Sequence, residues 1–138
     1  MYKCRSNVNS IIKLRGADIL LLKAEALARK NQLAQAAQTV NIVRKRVNLI
    51  DLSASSTASK ESLLDAILLE RRLELAFEGQ RWFDLIRFEK LESIMNTINQ
   101  RDAGRLPQGR AFSQQSELLP IPQPVLDENT NLVQNPGY

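Results

Sequence analysis

The sequence predicts an all-α fold: antiparallel helical hairpins finished by an extended, proline-containing C-terminal strap. Three observations carry that expectation. Apolar residues recur at three- and four-residue spacing from about Arg15 to Asn99. The breaks between periodic stretches are short or polar: Asn31-Gln32, the Ser-rich "DLSASSTASKES" at 51–62, and Gly79. Beyond Gln100 the periodicity stops. Pro120, Pro122 and Pro124 then alternate with single residues, which disfavours a helix and favours extended backbone.

Each element follows from its residues. A first helix is expected from about Arg15 to Lys30, with Leu20, Leu21, Ala24, Leu27 and Ala28 as its apolar stripe. A second is expected from Leu33 to Val47, on Leu33, Ala36, Ala37, Val40 and Val43. A turn this short makes the two antiparallel, and the alanines let their axes approach closely. Residues 51–62 read as a loop in which Ser59 or Ser62 caps the next helix. That helix carries Leu63, Leu64, Ile67, Leu68, Leu73, Leu75, Ala76 and Phe77 around most of its circumference, so it is expected to be largely buried. Gly79 ends it. A further helical stretch runs from Arg81 to about Asn99. This layout is that of two tetratricopeptide-like hairpins, although the hairpins share little sequence. Residues 101–117 read as a long loop, and Leu119, Ile121 and Val125 are expected to press the strap onto the helices. One helical domain is thus expected over 1–138: lead-in 1–14, hairpins 15–100, loop and strap 101–138.

Composition narrows the function. The 138 residues include no histidine and one cysteine, which removes the commonest general base, the commonest transition-metal ligand and any internal disulfide. No cofactor is called for. Cys4 reads as incidental, because only Met1, Tyr2 and Lys3 precede it, and the start has no signal-peptide pattern. No apolar run is long enough to span a bilayer, so membrane insertion by this segment is not expected. Charge is divided. Residues 1–50 hold ten Lys/Arg against Asp18 and Glu25, whereas 51–138 hold nine against thirteen acids. Such halves are expected to meet each other rather than nucleic acid.

"LLERRLELAFEGQRWFDLIRF", residues 68–88, poses the central question. As a helix it stacks Glu70, Glu74 and Glu78 in one row, where like charges repel by about 0.2–0.5 kcal/mol per exposed pair. A glycosidase pair fits the spacing poorly, since both acids leave one surface rather than opposing walls of a cleft. A di-metal carboxylate site lacks its histidine. A structural ion network fits best. Arg71, Arg72, Arg81 and Arg87 surround the row, and the basic half offers Arg15, Arg44 and Arg46. Arginine suits partly buried, bidentate carboxylate pairing. The expected network is Arg44, Arg46, Glu70, Arg71, Arg72, Glu74, Glu78, Arg81, Asp84 and Arg87. No residue is expected to be catalytic. Glutamates lining an open hollow with no arginine nearby would mean an active centre instead. Trp82, beside Phe83, Leu85 and Ile86, reads as core rather than a sugar-stacking platform.

These residues carry a resemblance. "LRGADILLLKAEALA", "VNIVRKRVNL", "ERRLELAFEGQRWFDLIRF" and the closing "LLPIP" with "NLVQNPGY" are similar, in matched order, to motifs in the C-terminal part of the SusD/RagB family of outer-membrane nutrient-binding lipoproteins. The resemblance spans nearly the whole chain. It implies a tetratricopeptide-like scaffold with no catalysis. It also implies a cell-surface place on the outer membrane of Bacteroidetes-type bacteria, a nutrient ligand that is most often an oligosaccharide, and a SusC-like TonB-dependent transporter as partner. Full members run to several hundred residues with a signal peptide and a lipid-attached cysteine. The chain is therefore expected to be a C-terminal piece, with the ligand-contacting residues outside it. The alternative is a free-standing helical-repeat module for protein interaction.

Overall fold

The computed structural model describes residues 14–102 and 112–138. The lead-in, except Leu14, together with Cys4 and most of the loop after Arg101, lies outside the described residues. Everything described is helix, turn or irregular chain, with no strand among the described residues. The chain groups into two compact units, divided between Asp84 and Leu85.

In the first unit, α1 (Gly16–Arg29) and α2 (Leu33–Lys45) form a hairpin across which α4 (Lys60–Glu74) packs. Leu21, Ala24 and Ala28 of α1, Ala36 and Val40 of α2, and Leu63 and Ile67 of α4 are fully excluded from solvent. Alanine at three of those places removes side-chain bulk between the axes. Asn31 closes α1 in the left-handed region (φ 62°), and the Gln32 and Asn31 amides donate back to the carbonyls of Leu27 and Ala28, both at 2.9 Å. Asn48 (φ 58°) closes the turn after α2 in the same way.

The Ser-rich stretch is more ordered than a loop. Ser53 caps one turn of helix, α3 (Ala54–Thr57), and Ser59 caps α4. The Ser59 hydroxyl accepts from the Ser62 amide at 3.1 Å, while the Ser59 amide donates to the Ser62 hydroxyl at 3.0 Å. Serine thus serves at both positions of a reciprocal box. The expected burial of α4 fails on one side. Leu69, Leu73 and Phe77 are 53%, 59% and 94% exposed, because α1 and α2 cover only the opposite face. The helix also stops at Glu74, short of Gly79, and Phe77 itself takes a left-handed backbone (φ 65°).

The stretch expected from Arg81 to Asn99 is two helices, α5 (Arg81–Arg87) and α6 (Leu91–Arg101). Glu89 breaks it at φ 55°, a conformation its residue type does not advertise. In the second unit Leu85, Phe88 and Leu91 are buried, and Trp82, just before it, is half-buried. The strap is not wholly extended. Residues 123–128 form a short helix, α7 (Gln123–Glu128). Proline is tolerated in a first turn, where no intrahelical N–H bond is needed, so Pro122 and Pro124 start this helix instead of forbidding it. Leu119 and Val125 are 78% and 43% exposed, against the expectation that they press inward. Ile121 is tied within its own unit. Gln134 accepts from its amide at 2.8 Å and donates to its carbonyl at 3.0 Å.

Candidate functional site

The acid-rich end of α4 and the turn after it face basic groups from the chain's opening half. Glu70 is buried and receives Arg44 Nη1 at 2.6 Å. Arg44 also donates from Nε to the Ile50 carbonyl at 2.8 Å, so one guanidinium fixes both the glutamate and the chain leaving α2. One turn on, Glu74 Oε1 accepts Arg46 Nη2 at 2.6 Å and Arg15 Nη1 at 2.5 Å. Arg15 Nη2 donates to the Glu74 carbonyl, and Arg15 Nε reaches Glu78 at 2.9 Å. The Glu78 hydrogen bond, more than the opposing cost of burial and with Glu74 adding to it, holds the Arg15 guanidinium above the ordinary arginine range. Glu78 lies beyond the helix, so the row is a bent one. The bend turns Glu74 and Glu78 toward a single arginine.

Arg71 is buried, 2% exposed, between two acids that are buried with it. Its Nε donates to Asp84 Oδ1 at 2.9 Å. Its Nη1 lies 2.8 Å from Asp18 Oδ1 and donates to the Asp18 carbonyl at 3.4 Å. Asp18 Oδ1 has no partner of good hydrogen-bond geometry, so the charge of Arg71 rather than a well-aimed proton balances it. Two buried carboxylates thus share one buried guanidinium.

The remaining expected members sit differently. Arg81 donates to the Leu68 carbonyl at 3.3 Å. Arg72 is exposed and meets no carboxylate among the described residues. Arg87 lies over the Phe88 ring, 5.5 Å from its centroid. Asp18 and Arg15 stand outside the expected set although they complete it. Their signal was present: Asp18 and Glu25 fall on the same face as Leu21 and Ala28, and charges on a buried stripe require partners. Glu25 finds Arg29 at 2.9 Å.

Two hollows flank this region. One of about 640 Å³ lies among Ile50, Ser53, Ser56, Asp65, Leu69 and Glu70, and there Arg44 already engages the glutamate. The other, of about 230 Å³, lies beside Arg72, Phe77 and Arg81. Among the described residues no helix is long and apolar enough to cross a membrane.

Fold and site together define a class: an all-helical, tetratricopeptide-like scaffold whose interior charges answer one another. The chain belongs to the SusD family, whose sequence model matches residues 4–138. It is 33% identical over 144 aligned residues to SusD-like protein P2 of Formosa agariphila, covering 97% of this chain and 27% of that protein. To SusD-like protein P38 of the same organism it is 43% identical over 96 residues, 65% of this chain and 19% of that one. A crystal structure of a SusD superfamily protein from Bacteroides vulgatus superposes with TM-score 0.75 at 29% identity, over 91% of this chain and 27% of that one. A SusD-like protein from Bacteroides fragilis gives 0.71 at 29% identity, over 93% and 26%. The chain therefore spans about a quarter or less of the length of these relatives.

Proposed function

We propose that this chain is the C-terminal helical scaffold of an outer-membrane, cell-surface nutrient-binding protein. In its whole form that protein binds an oligosaccharide and works with a SusC-like TonB-dependent transporter. The observation that carries this reading is the family match from residue 4 to residue 138, against relatives of which the chain makes up only 19% and 27%. The proposed role of the arginine–carboxylate pairs is structural. Arg15, Arg44, Arg46 and Arg71 are directed at Glu70, Glu74, Glu78, Asp18 and Asp84, which leaves those acids engaged within the protein. Such a scaffold supports a ligand site built elsewhere in the whole protein; it breaks no bond in the ligand.

A glycan array probed in parallel with this chain and with a full-length SusD-like protein containing it tests the reading. Binding is expected from the whole protein and none from the chain alone. Specific glycan binding by the 138 residues would move the ligand site into them. Glu74→Gln separates scaffold from enzyme: it is expected to lower the melting temperature and to leave no oligosaccharide turnover to lose. Turnover by the parent chain that vanishes in Glu74→Gln at unchanged stability would make Glu74 catalytic.

A further inference from the structure

We propose that the hollow between the end of α4 and the start of α5 receives a carboxylate carried on an apolar polypeptide segment, with Arg72 and Arg81 gripping the acid and Phe77 meeting the side chain beside it. Nothing in the family-level function assigns this place a ligand, and the proposal stands apart from that function.

The charge balance is the first ground. Arg71, Arg72 and Arg81 all border the hollow, with Asp84 as the only acid there among the described residues. Behind it, Asp18 completes the pairing of Arg71. Counting those five groups leaves one positive charge unanswered, the charge that a single carboxylate cancels and that a dianionic phosphate overshoots. Arg72 has no carboxylate partner among the described residues, and the one hydrogen bond of Arg81 goes to a neutral carbonyl. Burial, and then repulsion from Arg72, hold the Arg81 guanidinium below the ordinary arginine range. An arriving anion relieves the second of these. Two planar guanidiniums offer the paired N–H donors that a carboxylate accepts best.

Size and shape supply the rest. A hollow of about 230 Å³ lies below the ~300–1,000 Å³ of small-molecule clefts. It admits one acidic side chain and part of a neighbour, not a run of sugar rings. Phe77 stands 94% exposed at the rim on a left-handed backbone, so its ring gains nothing from burial within its own unit while the backbone bears strain. Leu75 and Ala76 line the same hollow and give it an apolar wall beside the ring. An exposed phenylalanine beside arginines is a residue mix enriched at protein–protein interfaces.

The test is an NMR titration of the full 138-residue chain, read at the arginine Nε–Hε resonances. The probes are acetyl-Leu-Glu-Leu-amide, its Leu-Gln-Leu counterpart, inorganic phosphate and glucuronate. The Glu peptide is expected to shift Arg72, Arg81 and Phe77 saturably in the millimolar range and to bind about tenfold tighter than the Gln peptide. Arg72→Gln, at an exposed position that leaves folding intact, is expected to abolish that preference. Equal binding of the two peptides, an unchanged preference in Arg72→Gln, or no shift by the Glu peptide would overturn the proposal. Tighter binding of phosphate or glucuronate would reassign the hollow to a small anion or an acidic sugar. Sedimentation of the free chain closes the last alternative: a dimer lost in Arg72→Gln would make a second copy the occupant and overturn the assignment as well.

Discussion

In the first unit Arg71 lies between Asp18 and Asp84, 2.8 Å from one and 2.9 Å from the other. In the second unit the corresponding work falls to neutral amides. Asn96 donates to the Phe112 carbonyl at 3.0 Å and accepts from its amide at 2.9 Å, and Gln134 does the same for Ile121. Each amide thereby supplies one donor and one acceptor to a piece of irregular chain, as a neighbouring strand would. The difference tracks burial. The first unit has a layered helical core, and charges inside it must be paired or they become very costly. The second has short helices and an irregular strap, whose need is for backbone partners rather than charge balance. A guanidinium reaches across helices to several acids at once. A carboxamide matches one peptide group.

The sharpest way to break that contrast is Arg71→Ala, which removes the guanidinium that two buried carboxylates share. A loss of about 3–5 kcal/mol is expected by urea denaturation. Replacing all three groups together, as Arg71→Met with Asp18→Leu and Asp84→Leu, is expected to recover much of that loss, because the buried acids depart with the guanidinium they share. A loss for Arg71→Ala below about 1 kcal/mol would place it among ordinary surface changes. Arg44→Ala comes next, at about 2–3 kcal/mol, since it removes a charged bond to buried Glu70 together with the tie to the Ile50 carbonyl. Arg72→Ala belongs elsewhere. Without a carboxylate partner it is expected to fall within about 0.5 kcal/mol of wild type.

In the second unit, Asn96→Ala removes two neutral bonds, and about 1–2 kcal/mol is expected. The signature is local: the Phe112 amide should lose hydrogen-exchange protection while Leu21 and Ile67 keep theirs. Uniform loss of protection across both units would mean that they open as one, and the contrast drawn between them would not extend to stability.

How legible this was differs by layer. α1 and α2 could be read within two residues, because their apolar spacing is regular and asparagine, a residue at ease in the left-handed region, stands at both exits. The cap at Ser59 was one of two candidates, and the pair shares the task. The arginine-to-glutamate direction across the chain's halves followed from charge asymmetry, yet the second partner of Arg71, beside Asp84, did not. Asp18 lies 53 residues away, and only the meeting of α1 with α4 brings it there. Phe77 misled because composition speaks of burial and says nothing about which face has a neighbour. The break at Glu89 carries no glycine to mark it, and the helix at 123–128 hides behind prolines that are harmless in a first turn.

The smallest effect concerns a charge that belongs to neither kind of bond. Glu61 sits in the first turn of α4, fully exposed. Its own backbone amide, and then the Ser59 hydroxyl, hold its carboxyl below the ordinary glutamate range. Both hydrogen bonds favour the ionised form in the folded protein and are not held in the unfolded chain, so the folded state binds its proton less readily. The stability from this interaction is therefore fully present above the unfolded glutamate range, and it is lost as pH falls through the lower, folded value. Comparing wild type with Glu61→Gln by urea denaturation from pH 6 to pH 3 isolates it. The wild type is expected to be the more stable protein at pH 6, with the gap closing on acidification, while the much larger losses from Arg71→Ala and Arg44→Ala at neutral pH are left untouched by the Gln substitution. A gap that stays constant over that range would mean that the side-chain amide serves the helix start as well as the carboxylate, leaving the charge at this position without a role in holding α4.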